Sequence, residues 1–248
     1  MDRLIYTAMS GMTDSMTRQR VIASNMANAQ TVGFRAELIY STPVTVQQGN
    51  TLEVRAMSDG EVHGASMAPG TISQTGRPLD VALNGDAMLT VQAEDGTEAY
   101  TRRGDLSVSP TGVLENGDRR PVLGAGGPIT VPPDAIVTIT PEGGVMVSNP
   151  ATPDQPATQV DKLKLASPAG SKIGKGLDGL FRVIGGGVLP DDQNASLASG
   201  AVEQSNVNPS EVMVQMVQAQ RLYDIRTKMI ATARDVDQSG STLMRVSA

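Results

Sequence analysis

Two long helix-like segments, one at each end of the 248-residue chain, constrain the fold more than any other feature. The first covers residues 1–34, which contain no proline and a single glycine, Gly11, before Gly33. Mostly apolar residues recur there at alternating spacings of four and three, which places them on one face of a helix. This seam consists of Ile5, Met9, Met12, Met16, Gln19, Ala23 and Met26. We expect the helix to end at Gly33, because glycine adopts the left-handed conformation that terminates helices.

The second segment begins with a group of helix-start signals at Asn208. Asparagine is a favoured N-cap, and Pro209 then occupies the first helical position, where its missing N–H group costs nothing. Glu211, three residues after the cap, can complete a capping box. No proline follows Pro209, and Gly240 is the single glycine after it. The sequence therefore predicts a C-terminal helix of about 38 residues, roughly 55 Å long.

The C-terminal segment carries two apolar stripes on adjacent helical faces. The first stripe consists of Val212, Met216, Ala219, Tyr223, Ile230 and Ala233, with Arg226 interrupting it. The second consists of Leu222, Ile225, Met229, Val236, Leu243 and Val246. A helix that packs against one partner needs one stripe, so two stripes indicate contacts with more than one neighbour.

The middle of the chain, residues 35–207, is rich in glycine and proline and lacks helical periodicity. Short apolar runs alternate there with turn signals. Asp95-Gly96, for example, lies between two such runs and is typical of a β-hairpin. This pattern predicts an all-β region. Because neither terminal helix has apolar partners near it in the sequence, we expect the two helices to pair with each other.

The predicted fold class is therefore mainly β with long N- and C-terminal α-helices, the terminal helices pairing as a coiled coil. The predicted domains are a discontinuous helical coiled-coil domain (residues 1–34 and 203–248), an extended connecting segment (35–75) and a central β domain (76–202). Aromatic residues make up only 2% of the chain, so the core must be built from aliphatic residues and methionine.

Composition argues against several functional classes. The chain has no cysteine and a single histidine, His63, so thiolate catalysis, disulfides and His/Cys metal sites are not expected. A net charge of −6 without a basic cluster argues against nucleic-acid binding. The N-terminus does not resemble a secretory signal, and no apolar run is long enough to span a membrane. We expect no enzyme activity, no cofactor, no metal and no membrane insertion.

Two features of the N-terminal segment allow two interpretations each. Asn25 and Asn28 lie on one helical face, where they could form hydrogen bonds between subunits or stabilise the end of the helix. The methionine-rich seam could be an adaptable interface, because methionine repacks easily, or simply the core of a helix pair.

Motifs in the N-terminal, middle and C-terminal parts of the chain resemble one known family along nearly the whole chain. The N-terminal motif is N-x-A-N-x-x-T-x-G-F at residues 25–34, preceded by Ser10-Gly11-Met12. The middle motifs are Thr75–Gly85 and Tyr100–Gly104. The C-terminal motif runs from Glu203 to Pro209 and continues at Met216–Arg221. In this order and at these ends of the chain, the motifs resemble the flagellar rod and hook proteins.

The resemblance implies a structural protein of the flagellar basal body that assembles into the axial rod and acts in motility. Members of the family pack their terminal helices as a coiled coil in an inner tube and place their β domain outside. They are exported by the flagellar type III apparatus without a cleaved signal peptide and assemble in the periplasm. Expected partners are further copies of the chain, other proximal and distal rod subunits and the export apparatus; no nucleic acid is expected.

Within the family, the first six residues and the chain length favour a proximal-rod member. A distal-rod member is the alternative, followed by a rod-associated recruitment factor or a cell-wall-remodelling factor. The resemblance and the helical stripes together predict a set of subunit-packing residues, besides the helix cap at Asn208, Pro209 and Glu211. These packing residues are Ile5, Met9, Met12, Met16, Asn25, Met26, Asn28, Gly33, Phe34, Val212, Met216, Ala219, Leu222, Tyr223, Ile225, Met229, Ile230 and Val236.

Overall fold

The computed structural model describes residues 2–46, 54–132, 135–149 and 155–246. Within these ranges, the side chains of residues 2–7, 40–46, 54–63, 237 and 243–246 are not described. The predicted roles of the Ile5, His63, Leu243 and Val246 side chains therefore lie outside the described residues.

A helix occupies each end of the chain, and strands fill the region between them. Helix α1 covers Asp2–Ala27 and helix α2 covers Pro209–Val246. In chain order the strands are β1 (Glu37–Val46), β2 (Val54–Ala65), β3 (Ile72–Gln74), β4 (Val81–Leu83), β5 (Met88–Gln92), β6 (Glu98–Thr101), β7 (Leu106–Val108), β8 (Leu114–Asn116), β9 (Leu123–Gly124), β10 (Gly127–Pro128), β11 (Ile136–Ile139), β12 (Gly144–Ser148), β13 (Thr158–Lys162), β14 (Leu165–Ala166), β15 (Ile173–Lys175), β16 (Phe181–Val183), β17 (Leu197–Ser199) and β18 (Ala201–Glu203). The two helices and the β-rich middle that the sequence predicted are thus present.

The chain divides into two compact units. The helical unit consists of Met1–Ala27, Glu37–His63 and Asn208–Ala248, and the β unit consists of Asn28–Ala36 and Gly64–Val207. Strands β1 and β2 pair as a two-stranded sheet. In the β unit the largest sheet has the order β14-β5-β6-β16-β15, and a second sheet has the order β11-β12-β13. Strand β18 pairs with β3, and β17 with β4, so the last strands of the β unit close onto its first ones.

Aliphatic side chains form the core of the β unit, as the low aromatic content requires. Val81, Leu89, Leu106, Leu114 and Val145 are fully buried in one cluster. Burial of aliphatic side chains is the main favourable contribution to folding, at about 1.5–3 kcal/mol for each fully buried residue. The predicted hairpin at Asp95-Gly96 is confirmed: it joins β5 to β6, with Gly96 at a φ of 80°.

Helix α1 ends earlier than predicted, at Ala27 rather than at Gly33. The Asn28 carbonyl accepts a hydrogen bond from the Thr31 N–H at 3.1 Å, and the Asn28 Oδ1 accepts one from the Thr31 hydroxyl at 3.1 Å. These two bonds form a turn in place of another helical turn, because an asparagine side chain competes with the helix for backbone partners. Gly33 does adopt the left-handed conformation, with a φ of 68°, but it lies beyond the helix.

The prediction that the terminal helices pair as a coiled coil is wrong. A coiled coil buries a continuous apolar seam, but Met9 and Met16 of the predicted seam are 60% and 52% exposed. Helix α1 instead buries Asp14 and Ser15, which bind Arg226 of α2. The helices therefore meet on a neighbouring face of α1, and this face includes a polar contact. The sequence pattern did not predict this contact, because Arg226 was interpreted only as an interruption of the apolar stripe.

A smaller core beside the main one contains Tyr100, which is fully buried together with Met88 and Leu189. The Tyr100 hydroxyl oxygen accepts a hydrogen bond of 2.7 Å from the Leu189 N–H, and burial raises the pKa of Tyr100 above its usual value of 10.0. Because the folded chain holds the neutral phenol, stability should be fully present below pH 10.0 and fall as the pH rises through the raised pKa.

Replacing Tyr100 with phenylalanine should lower the free energy of unfolding by about 1–3 kcal/mol, because it leaves a buried N–H group without its acceptor. Urea unfolding of the full chain measures this loss. Tyr223→Phe is the matched control, since Tyr223 is only half-buried on α2. Equal stabilities of the two variants would contradict the role assigned to the Tyr100 hydroxyl.

Candidate subunit-packing surfaces and the motif junction

The first apolar stripe of α2 faces the interior of the helical unit. Val212 and Ala219 are buried, and Tyr223, Ile230 and Ala233 are half-buried at the following positions of the same face. Met216, between Val212 and Ala219, is more exposed. This stripe holds α2 within its own chain, as an amphipathic helix buries one face.

The second apolar stripe of α2 faces solvent. Ile225 and Met229 are 56% and 54% exposed, and Leu222 and Val236 are exposed as well. Met213, Val214 and Val217 add further exposed apolar area on the first turns of the helix. Single exposed apolar side chains are ordinary, but a continuous apolar surface along several turns marks a site of interaction with another protein.

The methionine seam of α1 forms a second apolar surface. Met9 and Met16 are exposed, while Met12 and Met26 are half-buried. Methionine has a flexible, polarisable side chain that adapts to a partner of irregular shape. Met9 and Met16 thus present an exposed apolar surface, and its use as an adaptable interface stays a prediction.

Asn25 is directed into the helical unit rather than out of it. It is buried, its Oδ1 accepts a hydrogen bond from the Glu37 N–H at 2.8 Å, and its Nδ2 donates to the Glu37 carbonyl at 3.1 Å. The Ser24 hydroxyl donates to the Glu37 carboxylate at 3.1 Å. These bonds attach the start of β1 to α1.

A groove of about 470 Å³ lies beside this attachment. Helix α1 contributes Val21 and Ile22 to its wall, β1 contributes Leu38 and Ile39, and α2 contributes Leu222 among others. All of these residues belong to the helical unit. Leu222 belongs to the exposed second stripe of α2 as well, so the groove is continuous with the apolar surface on that helix.

The N-cap of α2 is Asn208. Its Oδ1 accepts hydrogen bonds from the Ser210 N–H at 3.1 Å and the Glu211 N–H at 3.4 Å, and Pro209 is the first residue of the helix. The Glu211 carboxylate accepts a bond from Gln215 Nε2 at 3.1 Å, one turn further along. The side-chain oxygen of Asn208 thus satisfies two N–H groups that a helix start otherwise leaves unpaired.

The three sequence motifs meet in the β unit at one buried ionic cluster, which we call the junction cluster: Arg35, Arg102 and Glu203. Their side chains are 2–3% exposed. The Glu203 carboxylate lies 2.8 Å from the guanidinium of Arg35 and 2.6 Å from that of Arg102. It also accepts a hydrogen bond of 2.7 Å from the Gly70 N–H. A buried carboxylate is tolerated because each of its oxygens has a charged partner.

Backbone carbonyls accept further hydrogen bonds from the two arginines. Arg102 donates to the carbonyls of Leu83 and Gly85, both at 2.8 Å, and of Ala87 at 2.5 Å. Arg35 donates to the carbonyl of Ala68. Burial lowers the pKa of Arg35, while the Glu203 carboxylate beside it acts in the opposite direction. The guanidinium groups therefore tie four separate segments of the β unit to Glu203.

Asn206 joins the same segments a few residues further on. Its Oδ1 accepts from the Ala36 N–H at 2.7 Å, and its Nδ2 donates to the carbonyls of Ser66 and Ala68 at 3.0 and 2.8 Å. Its own N–H donates to the Phe34 carbonyl at 3.3 Å. Asn206 of the C-terminal motif thus bonds the last residue of the N-terminal motif through its backbone, and Ala36 just after that motif through its side chain.

Gly33 and Phe34 of the N-terminal motif are part of this junction rather than of an exposed surface. The Gly33 N–H donates to the Glu203 carbonyl at 2.7 Å. A side chain on Gly33 would overlap the backbone of Arg102 and Arg103. The Phe34 ring lies under the Lys175 ammonium, which is 3.5 Å from the ring centroid, a favourable cation–π contact.

Replacing Gly33 with alanine should destabilise the β unit by about 2–4 kcal/mol, because the left-handed φ is strained for alanine and the new methyl group would overlap Arg102. Gly126→Ala is the matched control, since Gly126 has open space around it and no left-handed φ. Thermal unfolding of both variants tests the prediction. A Gly33→Ala chain as stable as the control would show that the junction tolerates a side chain there.

Sequence reasoning did not single out the junction cluster as a site. Arg102 and Glu203 lie within the quoted motifs and Arg35 follows one directly, but charged residues in a sequence usually indicate solvent-exposed positions. The Arg102–Glu203 pair joins residues 101 positions apart, so local sequence carries no signal of it.

The described residues contain no group of three or more side chains placed to hold a metal ion, and none of the described helices is long and apolar enough to cross a membrane.

Known protein families match the N-terminal, middle and C-terminal parts of this chain. Three family models match in chain order: flagella basal body rod protein at residues 5–35, the flagellar hook protein FlgE/F/G D1 domain at 82–147, and the flagellar basal body rod FlgEFG protein C-terminal region at 198–243. The three matches include most of the residues that meet at the junction: Arg35, Arg102, Glu203 and Asn206.

Individual relatives align along the full chain. The chain is 40% identical to the flagellar basal-body rod protein FlgF of Salmonella typhimurium and to that of Escherichia coli, with 100% of this chain and of each relative covered. It is 33% identical to the flagellar basal-body rod protein FlgG of Borreliella burgdorferi, covering 99% of this chain and 100% of the relative. The chain therefore belongs to the flagellar basal-body rod protein family.

Proposed function

We propose that this chain is a structural subunit of the proximal rod, similar to FlgF, and that it assembles with itself and with other rod proteins into the axial drive shaft of the flagellum. The exposed apolar stripe on α2 is the observation that supports it best. Ile225 and Met229 are about half exposed in the single chain, and a continuous exposed apolar surface of this kind is typical of a protein that binds a partner. Full-length identity of 40% to the FlgF proteins of Salmonella typhimurium and Escherichia coli supports the proximal position.

The predicted packing residues divide into two groups in this proposal. Residues that are exposed in the single chain contact neighbouring subunits in the rod. These are Met9, Met16, Met216, Leu222, Ile225, Met229 and Val236. The other described residues are buried, half-buried or internally bonded, and they hold each subunit in the shape that the rod requires. These are Met12, Asn25, Met26, Asn28, Gly33, Phe34, Val212, Ala219, Tyr223 and Ile230.

The two units have different roles in the proposed rod. The helical unit carries the exposed apolar surfaces, so its residues lie at the inner tube, where neighbouring helices cover them. The β unit has a closed core of its own, so it folds without those contacts. The subunit reaches the rod through the flagellar type III export apparatus and assembles in the periplasm. The separate core of the β unit and the open surface of the helices support this division.

Deleting the gene from the source cell tests the proposal. We expect non-motile cells whose basal bodies, viewed by electron microscopy, lack a complete proximal rod and therefore contain no distal rod. Full-length protein should restore motility, and protein lacking residues 2–27 should not. The deletion must end at Ala27, because residues 28–36 belong to the β unit.

Other outcomes of this experiment would change the assignment. Basal bodies that retain a complete proximal rod and lack only the distal part would place the chain in the distal rod instead. A rod that assembles from protein lacking residues 2–27 would contradict the role given to α1. Complete rods in the deleted strain would contradict a structural role altogether.

A further inference from the structure

Within the helical unit, Arg226 of α2 makes a polar contact with α1, although the residues around it in the stripe are apolar. Arg226 lies in the first stripe of α2, where every fourth or third neighbour is apolar or small. Its guanidinium donates to the Gly11 carbonyl and the Ser15 hydroxyl of α1, and it lies 3.5 Å from the Asp14 carboxylate. Asp14 and Ser15 are buried, and the Arg226 side chain is mostly covered.

The three acceptors lie within a single turn of α1. Gly11, Asp14 and Ser15 are separated by three and four positions, so they project from the same face of the helix. Gly11 has no side chain between its carbonyl and the guanidinium, and a methyl group there would already touch the Arg226 side chain. One turn of α1 therefore forms the binding site for the Arg226 guanidinium.

The apolar contacts alone do not define where α2 sits along α1. Apart from Arg226, the positions of the first stripe from Val212 to Ala233 are apolar or small, so a slip of seven residues would again place mostly apolar side chains against α1. Such a slip corresponds to an axial translation of about 10 Å. Hydrophobic contact is non-directional and would barely distinguish the two alignments.

Arg226 distinguishes these alignments sharply. A slip of one heptad towards the end of α1 would move it from Gly11, Asp14 and Ser15 to Arg18, Val21 and Ile22. It would then meet a like charge and two apolar side chains, with its hydrogen bonds lost. A slip in the other direction would place it against Leu4, Thr7 and Ala8, again without a carboxylate.

Asp14 is the single carboxylate residue of α1 after Asp2, so no other alignment offers the same pairing in the interior of the helix. We propose that the contact of Arg226 with Gly11, Asp14 and Ser15 sets the register of α2 on α1, a role distinct from any contribution to stability. In some proteins a buried polar pair adds little stability and instead selects one arrangement among several of similar energy. This inference concerns the single chain and stands whether or not the proposed position in the rod is correct.

Distance measurements between spin labels test the register directly. The chain has no cysteine, so Met16→Cys and Ala231→Cys introduce two unique labelling sites, both at exposed positions. Double electron–electron resonance on the full chain should give one narrow distance distribution. Arg226→Met, which keeps a long apolar side chain, should add a second population displaced by several ångström, since one heptad is about 10 Å.

Matched variants separate register from folding. Arg221→Met, at an exposed position of the same helix, should leave the single distribution unchanged. Asp14→Asn should give the second population as Arg226→Met does, and the exchanged pair Asp14→Arg with Arg226→Asp should restore the single one. A single unchanged distribution in Arg226→Met and Asp14→Asn would overturn the proposal. So would a broad distribution in the unmodified chain, because the contact would then not hold the register.

Discussion

Replacing Glu203 with alanine is expected to lower the free energy of unfolding of the β unit by about 3–5 kcal/mol, the cost of removing one partner of a buried ionic pair. The carboxylate lies between Arg35 and Arg102, and all three side chains are almost completely buried. Without it, two guanidinium groups would stay in the interior with only carbonyl partners. The typical domain has a net stability of about 5–15 kcal/mol, so this loss is a large fraction of the total.

Urea unfolding of the full chain, followed by circular dichroism, measures the effect of Glu203→Ala. Glu94→Ala is the matched control, because Glu94 also pairs with an arginine, Arg120, but is 83% exposed. An exposed pair contributes about 0–1 kcal/mol, so the control should unfold nearly as the unmodified chain does. Similar losses in both variants would show that the junction cluster does not hold the β unit together.

Replacing Ile225 with aspartate is expected to abolish swimming while leaving the isolated chain as stable as before. Ile225 lies at the centre of the exposed stripe of α2, so a charge there meets water in the single chain. In the proposed rod the same position is covered by a neighbouring subunit, and a buried unpaired charge would weaken each contact by about 2 kcal/mol or more. The same loss recurs at each subunit of the assembly.

Swimming in soft agar measures the effect of Ile225→Asp on motility, and urea unfolding of the purified chain measures its effect on stability. Gln220→Asp is the control, because it places the same charge at an exposed polar position of the helix. It should leave both swimming and stability unchanged. Normal swimming of cells carrying Ile225→Asp would show that the stripe is not covered in the rod.

The sequence predicted the elements of this fold where local chemistry decides them. The start of α2 follows from Asn208 and Pro209, and the β5–β6 hairpin follows from Asp95-Gly96, since caps and turns depend on a few adjacent residues. The end of α1 was misplaced by six residues because the bonds between Asn28 and Thr31 stop the helix before Gly33 is reached. Both the Asn28–Thr31 turn and Gly33 can end a helix, and α1 ends at the one that comes first in the chain.

The sequence did not predict which face of α1 is buried. Periodicity identifies an apolar face, but the partner decides which face is covered. The methionine seam was the more apolar face, and the chain instead covers the face with Ser15 and Ile22. It does so because Arg226 binds there and because Asn25, on the same side, pairs with the backbone of Glu37.

The junction cluster was also beyond sequence reasoning. Arg102 and Glu203 lie 101 residues apart, and Ala36 and Asn206 lie 170 apart. Contacts at such separations leave no periodic signal, and charged residues ordinarily indicate a solvated surface. The structure thus gives the motifs a physical role: residues in or next to the N-terminal, middle and C-terminal motifs hold three distant segments of the chain together at one site.

A cryo-electron-microscopy map of basal bodies isolated from the source cell would test the central claim most directly. We predict that this chain can be traced in the proximal rod, with the exposed stripe of α2 and the methionines of α1 covered by neighbouring subunits around the inner tube. A map in which the chain is absent from the axial structure, or present with Ile225 and Met229 still facing solvent, would contradict the account.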